Sequence, residues 1–298
     1  MEVRIEIRPR WPYQLPTHSD PDGVLRLQNG VIRRLISIAG EPVLVRTAQS
    51  TRKRILIGAQ ASSKKAANQA LDRMRFALAL DDDLQPFHKL FRDDPLIGRS
   101  VRTYPGLRIF RRPEPFEALA WAIVEQLIDF PTAVEIQWQL IRRYGHWHDD
   151  HQLWEPPSAE TFANLAPAEI EACGLSGRRA IALMQTAKAV ANGYIDLHDE
   201  DVELGWRKLL RIPNIGRWTV ESLALYGQGR LDQLPAGDLH YLKIVGRLFT
   251  GNPHMRAKET EVRSLFARYY PYGGLAGAHL SQAVRHHWAK LETTVVLA

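Results

Sequence analysis

The stretch "LLRIPNIGRWTV" at residues 209–220 places two apolar segments around a Pro-Asn-Ile-Gly turn. The proline fixes one backbone angle, and Asn214 and Gly216 are residue types that tolerate left-handed backbone conformations. A second helix would then begin at about Gly216, with its first amides unpaired and the positive end of its dipole facing outward. The stretch therefore predicts a helical hairpin that can hold a phosphate.

The candidate phosphate contacts of this hairpin are of two kinds. Direct contacts come from the turn and the first helical residues, which are Pro213, Asn214, Ile215, Gly216, Arg217 and Thr219. An indirect contact is a monovalent cation, Na⁺ or K⁺, that bridges to the same phosphate from the backbone carbonyls of Leu210, Ile212 and Ile215. The alternative is a helix corner that binds nothing, which is the commoner meaning of such a turn in isolation.

The composition restricts the class of protein. The chain has 298 residues, of which 45% are apolar and 24% charged, as in a soluble globular protein of one or two domains. A net charge of +6 mildly favours a polyanionic partner. The single cysteine, Cys173, excludes an intramolecular disulfide and a four-cysteine zinc site or iron–sulfur cluster.

No segment of the sequence predicts export or membrane insertion. The first residues, "MEVRIEIRPRW", lack the apolar core of a signal peptide, and runs such as "FEALAWAIV" are too short to span a bilayer. We expect a monomeric cytoplasmic protein with no membrane partner, associated with the nucleoid if the organism is bacterial.

The pattern of apolar residues changes near residue 112. Before it, short alternating segments predict antiparallel strands at 3–9, 24–28, 31–39, 42–48 and 54–59. A helical segment with a serine cap follows at 62–80, and a short helix and turn lead away from it. We therefore predict an α+β protein. An antiparallel sheet domain with flanking helices occupies 1–112, and a two-lobed all-α domain occupies 113–298.

Helical periodicity continues almost throughout the second domain. Prolines and glycines mark the expected ends of helices, at Pro115, Pro131, Pro167, Gly193 and Pro253. The predicted helices are 115–126, 131–144, 167–172, 177–192, 202–210, 216–227, 238–249, 256–268 and 274–291.

Four segments, in their order and spacing, resemble the helix-hairpin-helix DNA glycosylases of base excision repair. They are "FEALAWAIVEQLI" (116–128), "GLSGRRAIALMQTAKAVANG" (174–193), "LLRIPNIGRWTVESLALYG" (209–227) and "LPAGDLHYLKIVGRLF" (234–249). Within this superfamily they are most similar to the DNA-3-methyladenine glycosylase II, or AlkA, type. That type also has an amino-terminal sheet domain, so the resemblance covers the whole chain and implies a helix-hairpin-helix glycosylase domain after residue 112.

The resemblance implies that the protein rotates a damaged nucleotide out of double-stranded DNA. Leu127 is then the apolar wedge that fills the gap left in the base stack, and Gln126 beside it faces the opposite strand. Taken alone, Leu127 would more often be a buried leucine at a helix end.

The resemblance also implies that Asp238 is the catalytic carboxylate. Cleaving the bond between base and deoxyribose builds positive charge on the sugar, which a fixed carboxylate stabilises while it aligns or deprotonates a water. A base alkylated at N3 or N7 is already cationic, so neither a second acidic group nor a cofactor is required. Taken alone, an aspartate after Pro-Ala-Gly would most often be only a helix N-cap.

An aromatic pocket should hold the electron-poor base, because stacking and cation–π attraction favour a positively charged ring. The resemblance implies walls formed by Trp218 and Tyr272, with Ser222 also in the pocket. Lyase-active relatives carry a nucleophilic lysine at the position of Trp218, so we expect a monofunctional enzyme that uses water and forms no Schiff base. Without the resemblance, Trp218 would more often be interpreted as a core residue and Tyr272 as a loop residue.

Three residues depart from the pattern of the family. Asn214 stands in the hairpin where a glycine is usual, and Ser222 stands where the AlkA type can present an aromatic side chain. Glu125 precedes Gln126 where a small residue is more familiar, and it adds negative charge near the expected DNA face. These differences bear on which damaged base is preferred, rather than on the fold.

The segment "GHWHDDHQLW" (145–154) has the composition of a metal site but not its usual spacing. Its polar residues between helices are more simply a surface loop, and the implied mechanism needs no catalytic metal. The candidate ligands are His146, His148, Asp149, Asp150 and His151.

The sequence is compatible with three functions. The leading hypothesis is a monofunctional glycosylase for alkylated purines of the 3-methyladenine and 7-methylguanine type. The second is a glycosylase for deaminated or oxidised bases, although some such relatives need an iron–sulfur cluster that one cysteine cannot bind. The third is a non-catalytic protein that binds DNA through the hairpin alone.

Overall fold

Alternating apolar residues in the first sixty positions form a five-stranded antiparallel sheet, which confirms the predicted α+β fold class. The structure, a computed structural model, describes residues 1–51 and 53–288. Adjacent strands lie in the order β1-β5-β4-β3-β2, and every pairing is antiparallel. The strands are β1 (Glu2–Ile7), β2 (Arg26–Gln28), β3 (Val31–Ile38), β4 (Glu41–Thr51) and β5 (Arg54–Gln60).

Helix α1 (Lys64–Ala77) covers one face of this sheet. It begins after Ser63, whose side chain accepts a hydrogen bond from the Ala66 amide, as the predicted serine cap requires. Its buried residues recur at three- and four-residue spacing and pack on the inward-facing residues of the strands.

The rest of the chain is mainly helical, and each predicted helix is present. Most ends agree with the prediction within three residues. The last helix ends at Arg285, and residues 289–291 of that prediction lie outside the described residues. The helices are α2 (Gln85–Phe91), α3 (Gly98–Thr103), α4 (Pro115–Glu125), α5 (Phe130–Tyr144), α6 (Ala159–Ala163), α7 (Pro167–Glu171), α8 (Gly177–Ala191), α9 (Val202–Leu209), α10 (Arg217–Gly227), α11 (Leu239–Thr250), α12 (Glu259–Ala267) and α13 (Gly273–Arg285).

Helices α4 to α13 form two lobes with separate hydrophobic cores. The first core runs from α4 to the first half of α10, and the second contains the end of α10 together with α11, α12 and α13. Apolar residues of 84–109, which include those of α2 and α3, are buried in this second core. The second core therefore contains residues from both sides of the boundary predicted at residue 112.

The segment predicted as a polar surface loop after α5 is a two-stranded hairpin. Its strands are β6 (His146–His148) and β7 (Leu153–Glu155), and Leu153 packs against Leu35 and Leu44 on the outer face of the sheet. The prediction was wrong because the hairpin is stabilised by packing of Leu153 against leucines more than a hundred positions earlier in the chain. Local composition cannot reveal such a long-range contact.

A buried arginine joins the sheet to the helical part. Arg34 lies on the core face of β3 between Ile32 and Ile36, and its side chain is 2% exposed. Its guanidinium forms an ion pair with Glu117 on α4, whose side chain is 13% exposed, and lies 3.9 Å from the Asp20 carboxylate. A buried ion pair of this kind fixes the position of α4 relative to the sheet, because breaking it leaves an uncompensated charge.

None of the helices in the described ranges 1–51 and 53–288 is long and apolar enough to cross a membrane.

We expect the Arg34→Ala substitution to lower the free energy of unfolding by about 3–5 kcal/mol, because it leaves the Glu117 carboxylate buried without its partner. Urea denaturation at pH 7 measures this difference. Arg4→Ala is the control, since Arg4 is exposed and, among the described residues, pairs only with Glu2, and it should change stability little. The double variant Arg34→Met with Glu117→Leu should recover most of the loss, and a double variant as unstable as Arg34→Ala would contradict this explanation.

Candidate active site

The hairpin between α9 and α10 uses one left-handed residue rather than two. Asn214 has φ of +65°, which an asparagine adopts at modest cost. Gly216 has φ of −103° and ψ of 177°, an extended conformation, and it is the N-cap of α10. A Cβ placed on Gly216 would meet no atom within 4 Å. The glycine therefore leaves open space directly in front of the first turn of α10.

The start of α10 presents unpaired donors to this space. Within the described part of the chain, the amides of Gly216, Arg217 and Trp218 have no hydrogen-bond acceptor, as expected for the first turn of a helix. The Arg217 side chain is 67% exposed, and its Nε donates to Glu221 Oε1 at 2.9 Å. Amides and a cation at a helix N-terminus form a site with affinity for an anion.

Two of the predicted phosphate contacts are buried. The Ile215 side chain packs in the first lobe, and Thr219 is only 1% exposed. The Thr219 hydroxyl accepts a hydrogen bond from Gln126 Nε2 at 2.9 Å. The side chains of these two residues support the hairpin from below, whereas Pro213, Asn214, Gly216 and Arg217 lie on its exposed surface.

The segment after α4 is bound to the hairpin. Gln126 Nε2 donates to the Asn214 carbonyl at 3.0 Å as well as to Thr219. The Gln126 amide thus holds the turn in the structure, and its contact with the opposite DNA strand stays a prediction. Arg179 at the start of α8 donates to the carbonyls of Val124 and Gln126 at 2.8 and 3.1 Å. The end of α4 is therefore held from two directions.

Leu127 is the exposed residue of this segment. It has φ of +58° and its exposure is 104%. The left-handed conformation costs roughly 1–2 kcal/mol for a residue with a side chain, and exposure forgoes the gain from burying a leucine. An apolar side chain held in water on a strained backbone is a geometry that suits insertion into a base stack.

Asp238 is both an N-cap and a wall of a cavity. Its Oδ1 accepts a hydrogen bond from the His240 amide at 2.8 Å, at the start of α11. Its Oδ2 accepts a hydrogen bond from Trp218 Nε1 at 3.0 Å. Each oxygen therefore has one fixed donor, so the orientation of the carboxylate is set by groups on two helices.

The cavity beside Asp238 has a volume of about 510 Å³ and lies where the sheet domain and the two lobes meet. Trp218, Ser222 and Tyr226 line it from one face of α10, at four-residue spacing. Trp121 and Glu125 line it from α4, also four residues apart. A cavity of this size with several aromatic side chains in its walls can hold a purine base.

Aromatic residues other than Tyr272 complete this cavity. The Tyr272 ring packs edge-on against Phe87 and Phe91, with ring centroids 5.6 and 6.5 Å apart, in the core of the second lobe. The walls instead contain Trp121, Phe130 and Tyr226 beside Trp218. Sequence reasoning missed Tyr226, although its four-residue spacing from Ser222 and Trp218 is a signal that could have identified it.

Glu125 brings a second carboxyl group to the cavity. The pKa of Glu125 is raised to about 7, mainly by burial and also by the negative charge of Asp238, while the positive charge of Arg112 lowers it. Arg112 is itself engaged with Asp20 and Asp22, at 2.8 and 3.0 Å. Glu125 therefore keeps its proton to a higher pH than an ordinary carboxyl group does.

The histidines of the hairpin β6–β7 are separate from this cavity. His148 Nε2 lies 3.1 Å from Glu155 Oε2, across the two strands. Within residues 1–51 and 53–288, no group of three or more histidine, cysteine, aspartate or glutamate side chains is placed to hold a metal ion.

Comparison with proteins of known function gives relatives along most of the chain. The chain is 24% identical over 245 residues to a DNA-3-methyladenine glycosylase of Bacillus subtilis, covering 77% of this chain and 80% of that protein. It is 30% identical over 224 residues to a probable bifunctional transcriptional activator and DNA repair enzyme, AlkA, of Mycobacterium tuberculosis, covering 73% of this chain and 43% of that longer protein.

A solved structure shares the fold over nearly the whole chain. The 3-methyladenine DNA glycosylase of Archaeoglobus fulgidus superposes with a TM-score of 0.78 at 19% identity, covering 95% of this chain and 98% of that one. At this level of identity the superposition establishes the fold alone.

A model of the HhH-GPD superfamily of base excision DNA repair proteins matches residues 120–269. These residues make up half of the chain and contain the exposed Leu127, the hairpin, the aromatic face of α10 and Asp238. The chain therefore belongs to the HhH-GPD superfamily of base excision DNA repair proteins.

Proposed function

We propose that the protein is a monofunctional DNA glycosylase that removes alkylated purines, of the 3-methyladenine and 7-methylguanine type, from double-stranded DNA. Its superfamily and its relatives named DNA-3-methyladenine glycosylase make it a glycosylase of base excision repair. The single observation that carries the finer proposal is the placement of the Asp238 carboxylate, fixed by two donors, in the wall of an aromatic cavity.

The proposed chemistry assigns charge stabilisation to Asp238. As the bond from C1′ to the base nitrogen breaks, its electron pair leaves with the base and positive charge develops on the sugar. The Asp238 carboxylate stabilises this charge and aligns the water that adds to C1′. An alkylated purine is positively charged before cleavage and leaves as a neutral base, so this reaction needs no proton donor.

The cavity supports a preference for cationic bases. Trp121, Trp218 and Tyr226 present π-faces or edges to the space beside Asp238. A positively charged ring gains from stacking and cation–π attraction in such surroundings more than a neutral ring does.

The proposed DNA contacts follow from the surface around this cavity. Leu127 takes the place of the rotated nucleotide in the stack, and the amides before Trp218 hold a phosphate on the hairpin. Gln126 ties these two features together, since it belongs to the segment that carries Leu127 and binds the hairpin. The wedge and the phosphate site therefore act on one DNA strand at a fixed spacing.

A monovalent cation at the hairpin is part of the proposal. The Ile212 carbonyl accepts one hydrogen bond, from the Ile215 amide at 3.1 Å, which leaves it one lone pair. In the described chain no amide donates to the carbonyls of Leu210 or Ile215. These three oxygens suit Na⁺ or K⁺, which would attract a DNA phosphate, and catalysis itself needs no cofactor.

The first test is the Asp238→Asn substitution, which should reduce release of 3-methyladenine by about 100-fold or more because it removes the stabilising charge. Asparagine caps helices as well as aspartate does, so folding and DNA binding should stay close to wild type. Single-turnover release from methylated DNA is the measurement.

Asp201→Asn is the matched control, since Asp201 caps α9 by accepting from the Leu204 amide and lies outside the cavity lining. It should keep wild-type activity. Release by Asp238→Asn at a rate near that of the wild type would mean that Asp238 only caps α11, and the mechanism would have to be abandoned.

The second test is covalent trapping. Among the described residues the cavity is lined by no lysine, and Trp218 occupies the position at which lyase-active relatives carry one. Treatment of the wild-type protein with borohydride on damaged DNA should therefore yield no trapped protein–DNA product, while a lyase-active glycosylase on its own substrate serves as the positive control. A trapped species would refute the monofunctional assignment.

The third test is the Gly216→Phe substitution, which should weaken binding to damaged and undamaged duplexes by the same factor. The backbone at Gly216 is extended and a Cβ there meets no atom, so the substitution blocks the phosphate site without straining the fold. Gly216→Ser is the control, because serine is small and a good N-cap. Fluorescence anisotropy over a range of salt concentrations gives the affinities, which should fall steeply with salt for the wild type. Loss confined to one DNA sequence would contradict a phosphate role.

A further inference from the structure

Glu125 has no role in the chemistry proposed so far, yet its carboxyl group lies in the wall of the same cavity as Asp238. It is the last residue of α4, directly before the Gln126 side chain that binds the hairpin. In the described ranges no side chain or amide donates a hydrogen bond to its carboxyl group, and no cation pairs with it. The group is thus free to interact with whatever fills the cavity.

The arginines near Glu125 are committed to other carboxylates. Arg112 binds Asp20 and Asp22, and it lies over the Trp121 ring at 5.1 Å. Arg111 binds Asp82 through two nitrogens, at 2.5 and 3.0 Å. Arg34 of β3 pairs with Glu117. The arginines around the cavity are therefore paired with other carboxylates, and Arg112 acts on Glu125 through its charge without forming an ion pair with it.

Two carboxyl groups that share a cavity do not ionise independently. The Asp238 carboxylate accepts two hydrogen bonds, whereas no described donor reaches the Glu125 carboxyl group. The titratable and charged groups that line the cavity are Asp20, Arg34, Arg111, Arg112, Glu125, Tyr226, Asp238, His240 and Tyr241. Burial lowers the pKa of His240 and raises the pKa values of the two tyrosines, so these three groups are neutral at pH 7. Glu125 can therefore carry a proton near neutral pH, since burial and the charge of Asp238 raise its pKa to about 7.

We propose that Glu125 is a catalytic acid, which protonates the leaving base and so allows this site to release damaged purines that carry no positive charge. This inference rests on the proposed role of Asp238 in the same cavity. It extends the substrate class from cationic alkylated purines to uncharged ones, for which the aromatic walls alone provide too little assistance.

The Glu125 carboxyl group donates its proton to a ring nitrogen of the base while the bond from C1′ to the base nitrogen breaks, and the electron pair of that bond stays with the base. Water adds its oxygen to C1′ and gives a proton to Asp238 or to solvent. The products are a neutral free base, an abasic sugar with a hydroxyl at C1′, and a Glu125 carboxylate that takes up a proton from solvent. A cationic base needs no such donor.

The test compares release of hypoxanthine, an uncharged purine, with release of 7-methylguanine by wild type and Glu125→Gln. Glutamine has the size and neutrality of a protonated glutamate but no acidic proton to transfer. The substitution therefore removes proton donation while it keeps the packing of the side chain. The substitution should lower the ratio of hypoxanthine release to 7-methylguanine release by about 100-fold or more, the usual contribution of a general acid. Glu135→Gln on the exposed face of α5 is the control for net charge, and it should leave this ratio unchanged.

The pH dependence provides a second readout. Hypoxanthine release by the wild type should fall about tenfold per pH unit above pH 7, because the acid form is lost there, while the Glu125→Gln profile should be flat. Because the pKa of Glu125 is raised on folding, its contribution to the free energy of unfolding decreases as the pH rises. An ordinary carboxylate, whose pKa is lowered on folding, has the opposite effect. The wild type should therefore melt at the same temperature as Glu125→Gln near pH 4 and at a lower temperature above pH 7.

The outcomes separate this inference from the proposed function. Release of neither base by the wild type would overturn the glycosylase assignment itself. Release of 7-methylguanine with a ratio that Glu125→Gln leaves unchanged would overturn only the role of Glu125. Equal losses for both bases, with rates that rise with pH, would identify Glu125 as a base acting on water and would also overturn the proposal.

Discussion

The hydrogen bond from the Trp218 indole nitrogen to the Asp238 carboxylate joins the two lobes at the point where they enclose the cavity. Trp218 follows the hairpin on α10, and Asp238 precedes α11, so one bond of 3.0 Å links the proposed phosphate site to the proposed catalytic group. The His240 amide holds the other carboxylate oxygen. Because neither oxygen is free to rotate, the arrangement of both lobes sets the direction in which the negative charge of Asp238 acts.

The secondary structure and the hairpin could be predicted because their causes lie within a few residues. Strand alternation, the caps of the helices and the left-handed tolerance of Asn214 are local properties, and each appears where the sequence indicates. The short helices α3 and α6 escaped prediction because one turn carries little periodicity. The carboxylate at Asp238 was found through its family resemblance, since the residue pattern alone indicates only an N-cap.

The composition of the cavity could be predicted only in part, because it depends on packing between distant segments. Trp218 and Ser222 were identified, but Tyr272 was assigned to a wall that it does not form, since contacts with Phe87 and Phe91 draw it into the second lobe. The environment of Glu125 was equally hidden. Its protonation depends on whether the arginines brought from β3 and from the segment before α4 have other partners, and only the tertiary structure shows that they do.

Leu127 has a consequence for how quickly such a protein can inspect DNA. Its side chain is already in water and its backbone is already left-handed, so contact with a duplex requires no rearrangement of the protein before the leucine meets the base stack. The exposed leucine lowers the free energy of unfolding of the protein before any DNA is bound. Each trial insertion then costs only the unstacking of the DNA, and that cost is lowest where damage has already weakened the stack. In its proposed role as the wedge, a residue that is unfavourable for the folded chain thereby acts as a mechanical probe for weak points in the double helix.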